Sequence, residues 1–141
     1  MNIFKKLNPE WALRISLGIM YLYSGYDLLV KPQHWYGFVP QWFSQAVNQV
    51  TTVDNYLRIQ GIGESLIGLL LLLWFLPRWT VRVAAILTIL EMGMILLFVG
   101  IDPITFRDIG LLGAGFAVAI FAWKSEPVPS GWRASDSIAR Q

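Results

Sequence analysis

Apolar residues dominate four stretches of the chain, at about 9–30, 56–76, 80–99 and 103–123, and polar breaks divide them. Each stretch is about 20 residues long, and at about 1.5 Å of rise per residue a helix of that length crosses a hydrocarbon layer of about 30 Å. The breaks carry helix punctuation. Asn8-Pro9-Glu10 reads as an N-cap, a proline at the first helical position and an acidic first turn, and Asp102-Pro103 repeats the cap and proline before the fourth stretch. Lys31-Pro32, Pro77 and Gly100 end the first three stretches, and Glu126-Pro127 follows the fourth. The pattern predicts an all-α fold, an integral membrane four-helix bundle forming a single domain over 1–141 with a polar C-terminal tail at 124–141.

The one long connection runs from Lys31 to Asn55. Within it, a short amphipathic helix is expected at about 40–50, with Phe43, Ala46, Val47 and Val50 on one face and Gln41, Ser44, Gln45 and Gln49 elsewhere. With His34, Trp35, Tyr36, Phe38 and Trp42 nearby, this segment is expected to lie on the membrane surface and to lid the bundle, with Trp35, Tyr36 and Trp42 as the aromatic lid.

Composition strengthens the membrane reading. Of the 141 residues, 55% are hydrophobic and 14% charged, against about a quarter charged in an ordinary soluble domain. The mean hydropathy is +0.52. Cysteine is absent, which excludes disulfides, thiolate metal ligands and thiol exchange by the chain itself. No histidine or carboxylate cluster has metal-ligand spacing, so no metal is expected. The net charge of +2 comes from cations scattered at helix ends, which points to topology rather than to nucleic acid. Lys5, Lys6, Arg14, Arg78, Arg82, Lys124, Arg133 and Arg140 fall on one side, and Lys31, Arg58 and Arg107 on the other. That asymmetry places both termini in the cytoplasm and the aromatic loop outside. The expected location is the cell membrane, as a multi-pass protein of a bacterial or archaeal cytoplasmic membrane with the lipid bilayer as its first partner. The first stretch contains Arg14 and lacks a small-x-small cleavage site, so it reads as a retained helix. Trp11, Trp35, Trp42, Trp74, Trp79 and Trp123 flank the spans as an aromatic belt.

Polar residues inside the spans are the candidate chemistry, because charge in hydrocarbon is costly unless it faces the bundle or a water-filled cavity. Asp27, Arg58, Glu64, Glu91, Arg107 and Asp108 are all expected toward the outer side, with Glu91 about one turn deeper than the others. One outward-open polar cavity would gather all six. The alternative is structural: Arg58 or Arg107 neutralises Glu64 or Asp27, and Glu91 holds a proton. Glycines share stripes with these charges, Gly18 and Gly25 on the first helix and Gly61 and Gly68 on the second, and Gly110 lies in the fourth; all five are expected to pack helices together. Arg14, about a turn from the inner surface, is expected to snorkel, and His34 to anchor at the interface. The inner half of the bundle then reads as plain packing with a basic rim.

Several of these residues, taken in order, resemble the DoxX family of small four-span membrane proteins: Arg14-Ile-Ser-Leu-Gly18 and Tyr23-Ser-Gly25, then Trp35-Tyr-Gly-Phe-Val-Pro40-Gln-Trp42, then Gly61-Ile-Gly-Glu64-Ser-Leu-Ile-Gly68, and Arg107-Asp108. The resemblance covers about 10–123. It implies recurring sites at Arg14, Gly18, Gly25, Glu64, Gly68, Arg107 and Asp108, and a link to redox or oxidative-stress assemblies, including a thiosulfate:quinone oxidoreductase subunit. Relatives linked to thiol chemistry carry cysteines, which this chain lacks. The expected function is a subunit without independent activity, whose outer cavity holds a quinone or a small anion beside a redox protein partner. A covalently bound cofactor is not expected, and quinone is the cofactor candidate. Two other readings stay open: a binder or transporter of a small solute or lipid-like molecule, and a ligand-free scaffold that pairs with itself or with other subunits.

Overall fold

The structure, a computed structural model, describes residues 8–124. The tail from 125 on and the cations Lys5, Lys6, Arg133 and Arg140 lie outside the described residues, while Lys124 is the last residue of the final described helix. Among those described, the chain is helical and contains no strand: α1 (Pro9–Val30), a 3-10 turn (Pro32–Phe38), α2 (Gln41–Val47), α3 (Val53–Leu72), α4 (Arg78–Phe98), a second 3-10 turn (Thr105–Arg107) and α5 (Asp108–Lys124). Two segments, Arg78–Phe98 and Thr105–Lys124, are long and apolar enough to cross a membrane.

Local chemistry sets the helix limits. Asn8 Oδ1 accepts the Glu10 N–H at 3.0 Å, closing one of the donors that the first turn leaves free. Thr52 caps α3 by accepting from Asn55 N–H at 3.2 Å, so this helix begins three residues before the apolar run. It also ends at Leu72, four residues before that run does. Pro77 disfavours helix in the residue ahead of it, and the Leu71 carbonyl, freed at the helix end, accepts from Arg14 Nε at 2.8 Å. Where α4 ends, Gly100 takes a φ of +89° that favours glycine. Asp102 Oδ1 then accepts the backbone N–H groups of Thr105 and Ile104, both at 2.7 Å, and these donors hold its carboxyl below the usual aspartate range. Here α5 proper starts only at Asp108, after a 3-10 turn.

Helix α1 packs chiefly on α3 and α4 chiefly on α5, and the two pairs meet through α1–α5 and α3–α4. Both pairs are antiparallel, so the start of α1 and the end of α5 share one end of the bundle, here the terminal end, opposite the loop end. The α1–α3 seam depends on glycine. A Cβ at Gly25 would lie 2.7 Å from the Gly61 carbonyl oxygen, one at Gly61 2.8 Å from that of Gly25, and one at Gly68 2.9 Å from that of Gly18. Gly110 does not act this way, since a Cβ there would meet nothing within 4 Å. The glycine that packs α5 is Gly115, whose Cβ would come within 3.0 Å of Thr88 Cγ2. One helical turn and a half separates the two, enough to swing Gly110 to the outer face. Leu17, Tyr21, Leu71, Val81, Ala84 and Val118 form the buried core.

The terminal end is not plain packing. Arg14 does not snorkel; it is buried, with Nη1 3.6 Å from Glu10 Oε1 and its guanidinium 4.2 Å from the Trp11 ring centre. Arg78 Nη2 lies 3.3 Å from the other Glu10 oxygen. A buried acid with two arginines therefore clamps the starts of α1 and α4 to the end of α3.

Candidate functional site

Toward the loop end, the gap between the two helix pairs opens into a cavity of about 820 Å³. Tyr21 and Ser24 of α1, Gln60 and Glu64 of α3, Glu91 of α4 and Asp108 of α5 contribute its polar lining, with Arg107 at the second 3-10 turn. Trp35, Phe38, Trp42 and Phe43 line it from the long loop. These rings are braced against the bundle: Trp42 lies 5.7 Å from the Phe98 ring, and Phe43 5.0 Å from that of Tyr56.

The centre of the site is a pair of carboxyls joined by one amide. Gln60 Nε2 lies 3.2 Å from Glu64 Oε1 and 3.4 Å from Glu91 Oε1. This bridge puts Glu91 at the same level as Glu64 rather than a turn deeper. Gln60 and Glu64 are four residues apart on one helix face, which is the geometric basis of their contact. Tyr21 and Ser24 stand beside the carboxyls, but no hydrogen bond closes on Tyr21 Oη, Glu64 Oε2 or Glu91 Oε2, all three buried. Buried polar atoms are nearly always partnered in folded proteins; these three lie next to one another, with Tyr21 beside Glu91 and Thr88 and Glu64 beside Glu91.

Two of the six candidate charges do not line this cavity. Asp27 turns toward the long loop, where Trp35 Nε1 donates to its Oδ2 at 3.0 Å and His34 Nδ1 lies 3.1 Å from the same oxygen. Arg58 donates to the Leu29 carbonyl, one of the acceptors left free at the end of α1. Neither arginine considered for neutralisation is ion-paired with Glu64 or Asp27 among the described residues. Glu64, Glu91, Arg107 and Asp108 remain together. The lid divides as well: Trp35 and Trp42 face the cavity, whereas Tyr36 turns away and donates to Asp54. That bond to Asp54 pushes the Tyr36 phenol above its ordinary value. Tyr21, Ser24 and Gln60 are site residues that the charge pattern alone passed over. Tyr21 shared a stripe with Gly18 and Gly25, and Gln60 stood one turn before Glu64, which was the available signal.

Among the described residues no group of three or more histidines or carboxylates is placed to hold a metal. Compared with protein-family models, with curated proteins and with solved structures, the chain finds no match.

Proposed function

We propose that the chain is a four-span membrane protein of the DoxX kind, with both ends cytoplasmic, whose loop-end cavity receives an amphiphilic small molecule from the outer side. Support for four spans comes from the outward faces of all four long helices. Ile19, Leu66, Leu90 and Phe116, one from each helix, are each half or more exposed. In water such faces form aggregating patches; against lipid they are the ordinary surface. Helices α1 and α3 then span despite their charges, because Arg14 and Glu64 point into the bundle.

The observation that supports a binding function is that Tyr21, Glu64 and Glu91, whose Oη, Oε2 and Oε2 atoms close no hydrogen bond, line one aromatic-roofed cavity. Ligand pockets combine apolar walls with a few converging polar groups in this way. A second reading, the redox subunit, draws on the same atoms: a phenol beside two carboxyls suits the ring oxygens of a quinone, with electrons supplied by a protein partner. A small anion fits less well. Arg58 is engaged at Leu29, and Arg107 shares the cavity lining with three acids.

Mass spectrometry of the organic extract from protein purified in mild detergent tests the reading. The wild type is expected to carry an amphiphile that the E64Q/E91Q double variant lacks while folding normally. A wild type that stays empty after incubation with excess membrane extract would remove the ligand function and leave a scaffold.

A further inference from the structure

Resting on the ligand-site reading above, we infer that the cavity between the helix pairs takes a lipophilic organic cation, bound at Glu64 and Glu91 in exchange for a proton. Charge balance is the first argument. The titratable and charged groups that line the cavity with the carboxyl pair are Tyr21 and Tyr23 from α1, Tyr56 from α3, Asp108 from α5 and Arg107 from the 3-10 turn before it. Three acids therefore meet one guanidinium. The ion pairs among the described residues lie elsewhere, at Glu10 and at Asp27. A buried carboxylate without a cation must hold a proton or receive positive charge from outside.

Geometry is the second argument. Glu64 is 5% exposed and Tyr21 fully buried; both side chains line the cavity, and Tyr21 Oη and Glu64 Oε2 close no hydrogen bond. Aromatic faces attract cations electrostatically, and Trp35, Phe38, Trp42 and Phe43 supply such faces around a volume of about 820 Å³. An apolar body with a delocalised positive charge satisfies both the roof and the acids. The exchange balances simply: one O–H bond of a carboxyl breaks, the proton leaves to water, and the cation takes its place with no net change of charge.

Equilibrium dialysis of the detergent-solubilised protein, with empty micelles as blank, provides the test. The probes are tetraphenylphosphonium, the anion tetraphenylborate of the same shape, and a neutral short-chain quinone. Tetraphenylphosphonium is expected to bind and tetraphenylborate not to. With one proton exchanged, affinity rises about tenfold per pH unit until the carboxyls are fully ionised. The E64Q/E91Q variant should lose at least about tenfold in affinity; if it unfolds, the single variants take its place and should flatten the pH slope. Equal binding of both ions, or tetraphenylphosphonium binding that ignores pH, would overturn the inference. Binding of the quinone alone would overturn it and leave the cavity function standing, whereas binding of none of the three would remove both.

Discussion

Glu10 and Glu64 are equally buried, each 5% exposed, yet one is ion-paired with two arginines and the other forms no ion pair among the described residues. Glu10 has Arg14 and Arg78 at 3.6 and 3.3 Å, and the Arg14 side chain also reaches the Leu71 carbonyl and the Trp11 ring. Glu64 has an amide nitrogen, an orphaned oxygen and a second carboxyl. The terminal-end acid is matched within the chain and closes a gap between helices. The loop-end acid is left unmatched beside a cavity. Burial of a charged residue therefore says little by itself, and what completes its electrostatics separates a clamp from a site.

The largest expected effect falls on the clamp. Glu10→Gln leaves Arg14 buried without its counter-charge and should destabilise the bundle by about 3–5 kcal/mol, read as a shifted midpoint in reversible unfolding from micelles. Were E10Q no worse than E64Q in that assay, the contrast between the two ends would collapse. Next comes the seam beside the site. Gly25→Ala, which presses a methyl on the Gly61 carbonyl, should cost about 1–3 kcal/mol, whereas Gly110→Ala should change stability by less than about 0.5 kcal/mol. Similar losses at both positions would mean that α5 has a tight partner at Gly110 that the fold does not place there.

Smaller still is the stability effect at the loop-end acids. Replacing Glu64 or Glu91 by glutamine removes no ion pair, so folding should stay within about 1 kcal/mol of wild type by the same unfolding titration. The smallest effect concerns the lid. Tyr36 donates to Asp54 and its phenol titrates above its ordinary value. A raised folded-state value means the contact is fully present below the ordinary tyrosine pKa of about 10 and is lost as pH rises through the higher folded value. Tryptophan fluorescence should therefore report a loosened lid only in strong alkali, and Tyr36→Phe should abolish that step. A transition near neutral pH would show that another contact holds the lid.

The helical class and the two helices long and apolar enough to cross a membrane were legible because hydrophobic length and proline punctuation are local signals. The end of α3 was not, since the apolar run continues to Leu76 while the helix stops at Leu72, beside the Leu71 carbonyl that a long-range donor from Arg14 closes. Glu64 and Glu91 could be placed on inward faces from their spacing to Gly61 and Thr88. Their common level could not, because it depends on how far α4 is slid along α3, which only packing sets. The assignment of Asp27 and Arg58 to the cavity went wrong for a related reason. Both lie near helix ends, where free carbonyls and loop donors compete for them, and sequence position does not reveal that competition.

Stability and tetraphenylphosphonium affinity measured side by side on wild type, E10Q and the E64Q/E91Q variant bear most directly on the division between clamp and site. The expected result is a crossed pattern: E10Q unfolds easily but binds where it is folded, while the double variant is as stable as wild type and no longer binds. Loss of stability in both, or loss of binding in neither, would contradict that division.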